Sequence, residues 1–220
     1  QSEWCRNGAL SNVFWTELTQ AKYDLRRSLG DLGHGDDTEV FHLCDLEYRA
    51  VKQHYGLLRY GLLKTAGQAD GFRVLKVKTA YYAIQNAVSV FNDALECLSP
   101  ERTGSTLQGV ENCVVYDWKD RETDTPVVVF WDASAMPSND NITRQATVSV
   151  AGNPIQNPVW VDLLTGNVYK IDESHIVRSE GKTVYSVPVY DSPAFITSQD
   201  ILALDKSWFV REGKNMKRYH

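Results

Sequence analysis

Cysteine is scarce: four in 220 residues, far apart at Cys5, Cys44, Cys97 and Cys113. No CxxC pair exists, which excludes the common zinc-ribbon and thiol-redox motifs. Cys44 lies in an apolar stretch and Cys97 on a helical face, where free cysteine acts as a small hydrophobe, so structural thiols are expected. The five histidines have no HxxxH or similar spacing, so neither a metal site nor a cofactor is expected. No apolar run nears the roughly 18 residues of a membrane span, and no membrane partner is expected. No long basic stripe exists either. Lysine and arginine total 23 against 28 acidic residues, a net charge of -5. Neutralising phosphates needs such a stripe, so nucleic acid is not an expected partner. The basic tail, Lys214 to Arg218, is short and reads as a solvated end. Internal repeats, low-complexity segments and a signal peptide are also missing from view.

What is present is a change of rhythm. Thr16 to Leu32 reads as a helix, with Leu18, Ala21, Leu25, Leu29 and Leu32 on one face. Gly30, Gly33 and Gly35 supply stop signals. Glu39 to Asp45 is short and mostly apolar, like a buried parallel strand. Residues 46–72 form a long connection. A second helix is expected from Thr79, as N-cap, to Leu98, ended by Pro100. Ile84, Val88, Phe91, Leu95 and Leu98 form its large apolar stripe. Ala80, Ala83, Ala87, Val90, Ala94 and Cys97 form a stripe of small residues beside it. Strand, loop and helix alternate here as in βα units.

Beyond Pro100 the pattern is short strands: 113–119, 127–132, 146–151, 159–163, 168–171, 183–189 and 195–197, with a further candidate at 201–204. Turn signals separate them, which suggests an antiparallel sandwich. Val159–Leu163 and Val168–Ile171 flank a tight turn and form a hairpin. Pro126, Pro188 and Pro193 belong at strand starts or edges. Trp118, Trp131 and Trp160 read as sandwich core. His42 reads as a satisfied core residue and His34 as loop. The fold class expected is therefore α/β plus all-β.

Three segments carry a resemblance. They are Trp15-Thr16-Glu17-Leu18-Thr19-Gln20-Ala21-Lys22 with Arg26-Arg27; Val40-Phe41-His42-Leu43-Cys44-Asp45-Leu46 with Tyr55-Gly56-Leu57-Leu58; and Lys78-Thr79-Ala80-Tyr81-Tyr82-Ala83-Ile84-Gln85-Asn86. In this order they resemble the end of a (β/α)8-barrel glycoside hydrolase of the retaining, two-glutamate clan. Val161-Asp162-Leu163-Leu164-Thr165-Gly166-Asn167-Val168-Tyr169 and Val187 to Pro193 are similar to the β-sandwich such enzymes append. The resemblance implies that residues 1–98 are the last βα units of a TIM-type barrel. Residues 99–110 are then a linker, and 111–220 the antiparallel sandwich. Gln1-Ser2-Glu3 ends strand 7, Thr16–Leu32 is helix 7, Glu39–Asp45 is strand 8, and Thr79–Leu98 is helix 8.

Barrel active sites lie at the C-terminal ends of strands. By resemblance, Glu3 matches the nucleophile, while Trp4, Asp45 and Tyr48 lie near a carbohydrate substrate. The partner acid/base Glu closes strand 4, outside this chain. A retaining pair sits about 5–5.5 Å apart, so Glu3 is half of a pair. Bland readings stand beside these. Glu3 reads equally as a frayed terminal residue, Trp4 as rim burial, and Asp45 as a cap on the loop that follows. The chain starts inside this segment, so a fragment or processed piece is expected. Its partner would be the upstream part of the same barrel. The family implies a secreted or periplasmic location. A second reading is a non-catalytic carbohydrate-binding or structural accessory module in which the sandwich is the working part.

Overall fold

The computed structural model describes residues 15–40, 42–47, 57–58, 60–71, 73–98 and 104–202. These form a largely all-β protein with two helices, arranged as helices on a sheet on a sheet. Helix α1 spans Glu17–His34. Its N-cap Thr16 accepts from Thr19 N, and the Thr19 side chain answers the Thr16 backbone, a reciprocal cap. Gly35 closes it at φ 81°, a conformation glycine reaches without strain. His34 is thus the last helical residue rather than loop. Its Nε2 lies 3.0 Å from the Tyr116 hydroxyl.

Short strands follow: β1 (Leu46–Glu47) pairs with β2 (Leu57–Leu58), and β3 (Leu63–Thr65) with β4 (Val74–Val77). The expected strand over Glu39–Asp45 does not form among its described residues. Cys44 alone makes a parallel bridge, to Leu63. A strand needs neighbours for its N–H and C=O groups, and the described residues offer this segment only Leu62 and Leu63.

Helix α2 spans Thr79–Val90. The cap is Lys78, not Thr79, and its side chain makes no capping bond. The helix also ends earlier than the periodicity suggests. The Phe91 ring turns into the core, 5.1 Å from Trp118 and 5.7 Å from Phe195. The Asn92 side chain takes the Ala94 N–H, a local bond that competes with helix. Leu95–Cys97 then becomes strand β5, paired with Trp118–Asp120. The buried face is the small-residue stripe: Ala80, Ala83 and Ala87 are enclosed, while Val88 is 60% exposed.

The sandwich strands are β6 (Thr106–Gln108), β7 (Cys113–Asp120), β8 (Pro126–Asp132), β9 (Arg144–Ala151), β10 (Pro158–Asp162), β11 (Asn167–Lys170), β12 (Ile176–Ser179), β13 (Lys182–Val189) and β14 (Ala194–Ser198). One sheet runs β11-β10-β14-β8-β7-β5, the other β12-β13-β9-β6, and every pairing is antiparallel. Residues 199–201 are a 3-10 turn rather than the start of another strand. Between the sheets lie Val128, Phe130, Val148, Tyr185, Val187 and Ile196. The opposite face of the larger sheet presents Val127, Val129, Trp131, Val159, Val161 and Phe195 to Leu25, Leu29 and the alanines of α2. That second cover explains why β8, β10 and β14 are buried at nearly every position instead of alternating.

Candidate functional site

The polar residues of the helical part gather at one end. Gln20, in the first turn of α1, donates to Tyr60 O at 2.8 Å and to Gly61 O at 3.3 Å. One residue on, Leu62 O accepts from Lys78 N at 3.0 Å. Lys78 Nζ meets Asp45 Oδ1 at 2.5 Å, with only 2% and 8% of the two side chains exposed. Gly61 N donates to the same oxygen at 3.0 Å. Gly61 is required by space: a Cβ there would stand 2.3 Å from the Cys44 carbonyl carbon. His42 Nδ1 hydrogen-bonds Cys44 O, and burial holds the imidazole below its ordinary range.

These contacts fix the direction of the helices. Lys76, just ahead of α2, bridges Glu17 at the start of α1 at 2.7 Å. At the far end, Cys97 Sγ, beyond α2, lies 3.5 Å from Gly33 O. An 18-residue α1 is about 27 Å long, so an antiparallel pair would put Lys76 beside His34. The helices therefore run parallel, side by side. Parallel neighbours need a return crossing between them, as consecutive βα units have, whereas a short-looped helical hairpin is antiparallel.

Two charges are unusual. Asp24, 7% exposed in α1, is pushed from 3.8 up to about 7 by burial, against the Gln20 hydrogen bond and the charges of Lys78 and Arg27. A carboxyl near 7 suits acid–base chemistry, but this one is enclosed and bonded to Gln20 at 3.3 Å. Its role is structural. Lys78 is held below the usual lysine range by burial, opposed by Asp45.

The other face of α1 locks onto the sandwich. Lys22, fully buried, meets Asp191 Oδ1 at 2.6 Å and the carbonyls of Ser138 (3.2 Å) and Asp140. Arg26 donates to the carbonyls of Asp132, Ala135 and Asp191. The Lys22 and Arg26 of the first quoted segment are thus anchors between layers.

Among the expected site residues, Glu3, Trp4 and Tyr48 lie outside the described residues. Asp45 sits against the N-terminus of α2, paired with Lys78 and accepting from Gly61 N. Lys78, its partner, has no site role in the sequence reading, since nothing local to a lysine ahead of a helix marks it as half of a buried pair. Trp118, Trp131 and Trp160 are buried, the first two under the helices and the third between the sheets. Cys44, Cys97 and Cys113 are free thiols. Among the described residues no group of three or more His, Cys, Asp or Glu side chains is placed to hold a metal, and no helix is long and apolar enough to cross a membrane. Family models, curated proteins and solved structures were all compared with the chain, and none matches it.

Proposed function

We propose that residues 1–98 are the closing βα units of a (β/α)8 barrel belonging to a retaining glycoside hydrolase, with the sandwich appended. The observation that carries this reading is the parallel packing of α1 and α2, with the Cys44–Leu63 bridge and the Asp45–Lys78 pair beside their N-terminal ends. In a barrel that end of the helices borders the catalytic face. Glu3 is the nucleophile of this reading. Its carboxylate attacks the anomeric carbon, and a glutamate from strand 4 protonates the leaving oxygen, then activates water to release the sugar. Trp4 and Tyr48 flank the sugar. Asp45 holds Lys78 and Gly61, so the loop after strand 8 keeps its shape. A carbohydrate is the substrate and the upstream barrel the structural partner; a secreted or periplasmic enzyme fits.

The test uses protein that carries the upstream barrel. Glu3→Gln keeps the shape and removes the nucleophile, so kcat on aryl glycosides is expected to fall by several orders of magnitude with folding unchanged. Azide is expected to rescue Glu3→Ala in part, giving a glycosyl azide of inverted configuration. Near-normal turnover by the Gln variant overturns the assignment.

A further inference from the structure

The sandwich is open at one corner. β12 has four residues and pairs with Lys182–Tyr185 alone, while β13 continues to Val189. Among the described residues Ser186 to Val189 thus have no strand on that side, and Pro188, which lacks an N–H, is tolerated there. A cleft of about 330 Å³ opens at this edge between the sheets. Small-molecule sites run from about 300 to 1,000 Å³, so it has room for one or two small rings.

The chemistry of its walls is specific. Trp160 and Tyr169, opposed on β10 and β11, pack their rings 5.3 Å apart. Trp160 is 7% exposed, and its Nε1 has no hydrogen-bond partner among the described residues. Its nitrogen is itself enclosed, so what Trp160 offers the cleft is the ring that backs Tyr169. Asp162 has both oxygens engaged: it accepts from Tyr190 Oη at 2.6 Å, Leu164 N at 3.0 Å and Thr165 Oγ1 at 2.7 Å. The rim carries one cation and one anion, Lys170 and Asp172, together with the exposed side chains of Gln145 and His175. With Asp162 the walls keep one negative charge, which disfavours an anion. An aromatic surface ringed by amide and imidazole groups suits a ligand with an apolar C–H face and many hydroxyls.

We propose that this cleft binds a neutral sugar unit. One face of the pyranose lies on Tyr169, over Trp160, and Gln145 and His175 meet the hydroxyls. Capture here needs no nucleophile, so it stands or falls separately from the glycosidase reading: Glu3→Gln leaves it unchanged, and its loss leaves Glu3 untested.

The experiment is a titration of the 220-residue chain with xylotriose, cellotriose, laminaritriose and mannotriose, following the indole N–H resonances of its six tryptophans. The resonance missing from Trp160→Phe identifies Trp160. It is expected to move saturably with at least one trisaccharide, at millimolar dissociation constants. Tyr169→Ala is expected to weaken binding at least tenfold. Tyr169→Leu, which keeps apolar bulk on the edge strand but no ring face, is expected to do the same with an unchanged melting temperature. No movement of the Trp160 resonance with any of the four, or parent-like binding by Tyr169→Leu, overturns the proposal.

Discussion

The sandwich and the helical part are held by different physics. In the sandwich, strands pair on antiparallel ladders and two apolar layers enclose β8, β10 and β14 on both faces. In the helical part, α1 and α2 present alanines and leucines to the sheet, but they are also anchored by charges and amides: Lys78 with Asp45, Lys22 with Asp191, Gln20 with Gly61. This part also leaves Leu43, Val74, Leu75, Tyr82 and Val88 half exposed or more. The sandwich, though longer, does so only at Ile142 and Val177, with Met136 at 49%, among the described large hydrophobics. A region that satisfies itself hides its apolar surface; a region made for further neighbours does not. That contrast supports the proposal that residues 1–98 belong to a larger barrel.

The comparison breaks most sharply at the buried ion pairs. Removing one partner of such a pair strands the other charge and costs about 3–5 kcal/mol. Lys78→Met is expected to lower stability by that amount through the helical part, and Lys22→Met likewise through the joint between layers. Hydrogen exchange separates the two regions: amides of Val127 to Trp131 keep protection in Lys78→Met, while those of α2 lose it.

The next effect is on pH. The Asp24 carboxyl is pushed from 3.8 up to about 7, chiefly by burial. The folded protein therefore holds this proton more tightly than the unfolded chain does. The resulting stabilisation is complete below about pH 4 and is lost as pH rises through about 7, roughly 3–4 kcal/mol by linkage. Urea unfolding across pH 4–8 is expected to show that decline, and Asp24→Asn to flatten it.

Smaller effects sharpen the contrast in backbone approach. Gly33→Ala would put a Cβ 2.5 Å from the Tyr116 ring, and Gly61→Ala one 2.3 Å from the Cys44 backbone. Overpacking of this kind costs about 1–3 kcal/mol. The ring is able to shift and the backbone is not, so thermal melts are expected to place Gly61→Ala lower. The smallest effect is at Val88, 60% exposed on α2. Val88→Lys is expected to leave the melting of the 220-residue chain within about 0.5 kcal/mol of the parent, and to reduce any self-association seen by light scattering.

The same contrast governs what the sequence revealed. The seven strands from Cys113 to Thr197 were legible because each is four residues or longer and strongly apolar or alternating, and the β10–β11 hairpin followed from its turn. β5, β6 and β12 were not, since three or four residues with few enclosed side chains carry no period. α1 was legible from its leucines. In α2 both stripes were visible, but not that the alanines alone are fully enclosed, because close packing against α1 and the sheet favoured them over the larger stripe. Least legible were the anchors. Lys22 finds Asp191 across 169 positions and Lys78 finds Asp45 across 33, and nothing local to a lysine names its partner. The cleft at Trp160 was hidden similarly, since it arises from β12 being shorter than β13.

The most direct test is covalent trapping. A retaining enzyme builds a glycosyl ester on its nucleophile, and a fluorine at C2 of an activated glycoside slows its breakdown. Protein carrying the upstream barrel would be incubated with 2-deoxy-2-fluoro glycosyl fluorides, digested, and read by mass spectrometry. The expected result is one fluoroglycosyl group on the peptide that contains Glu3, and none on peptides of the sandwich. A label on any other residue, or no label from an enzyme that hydrolyses the parent glycoside, contradicts the assignment.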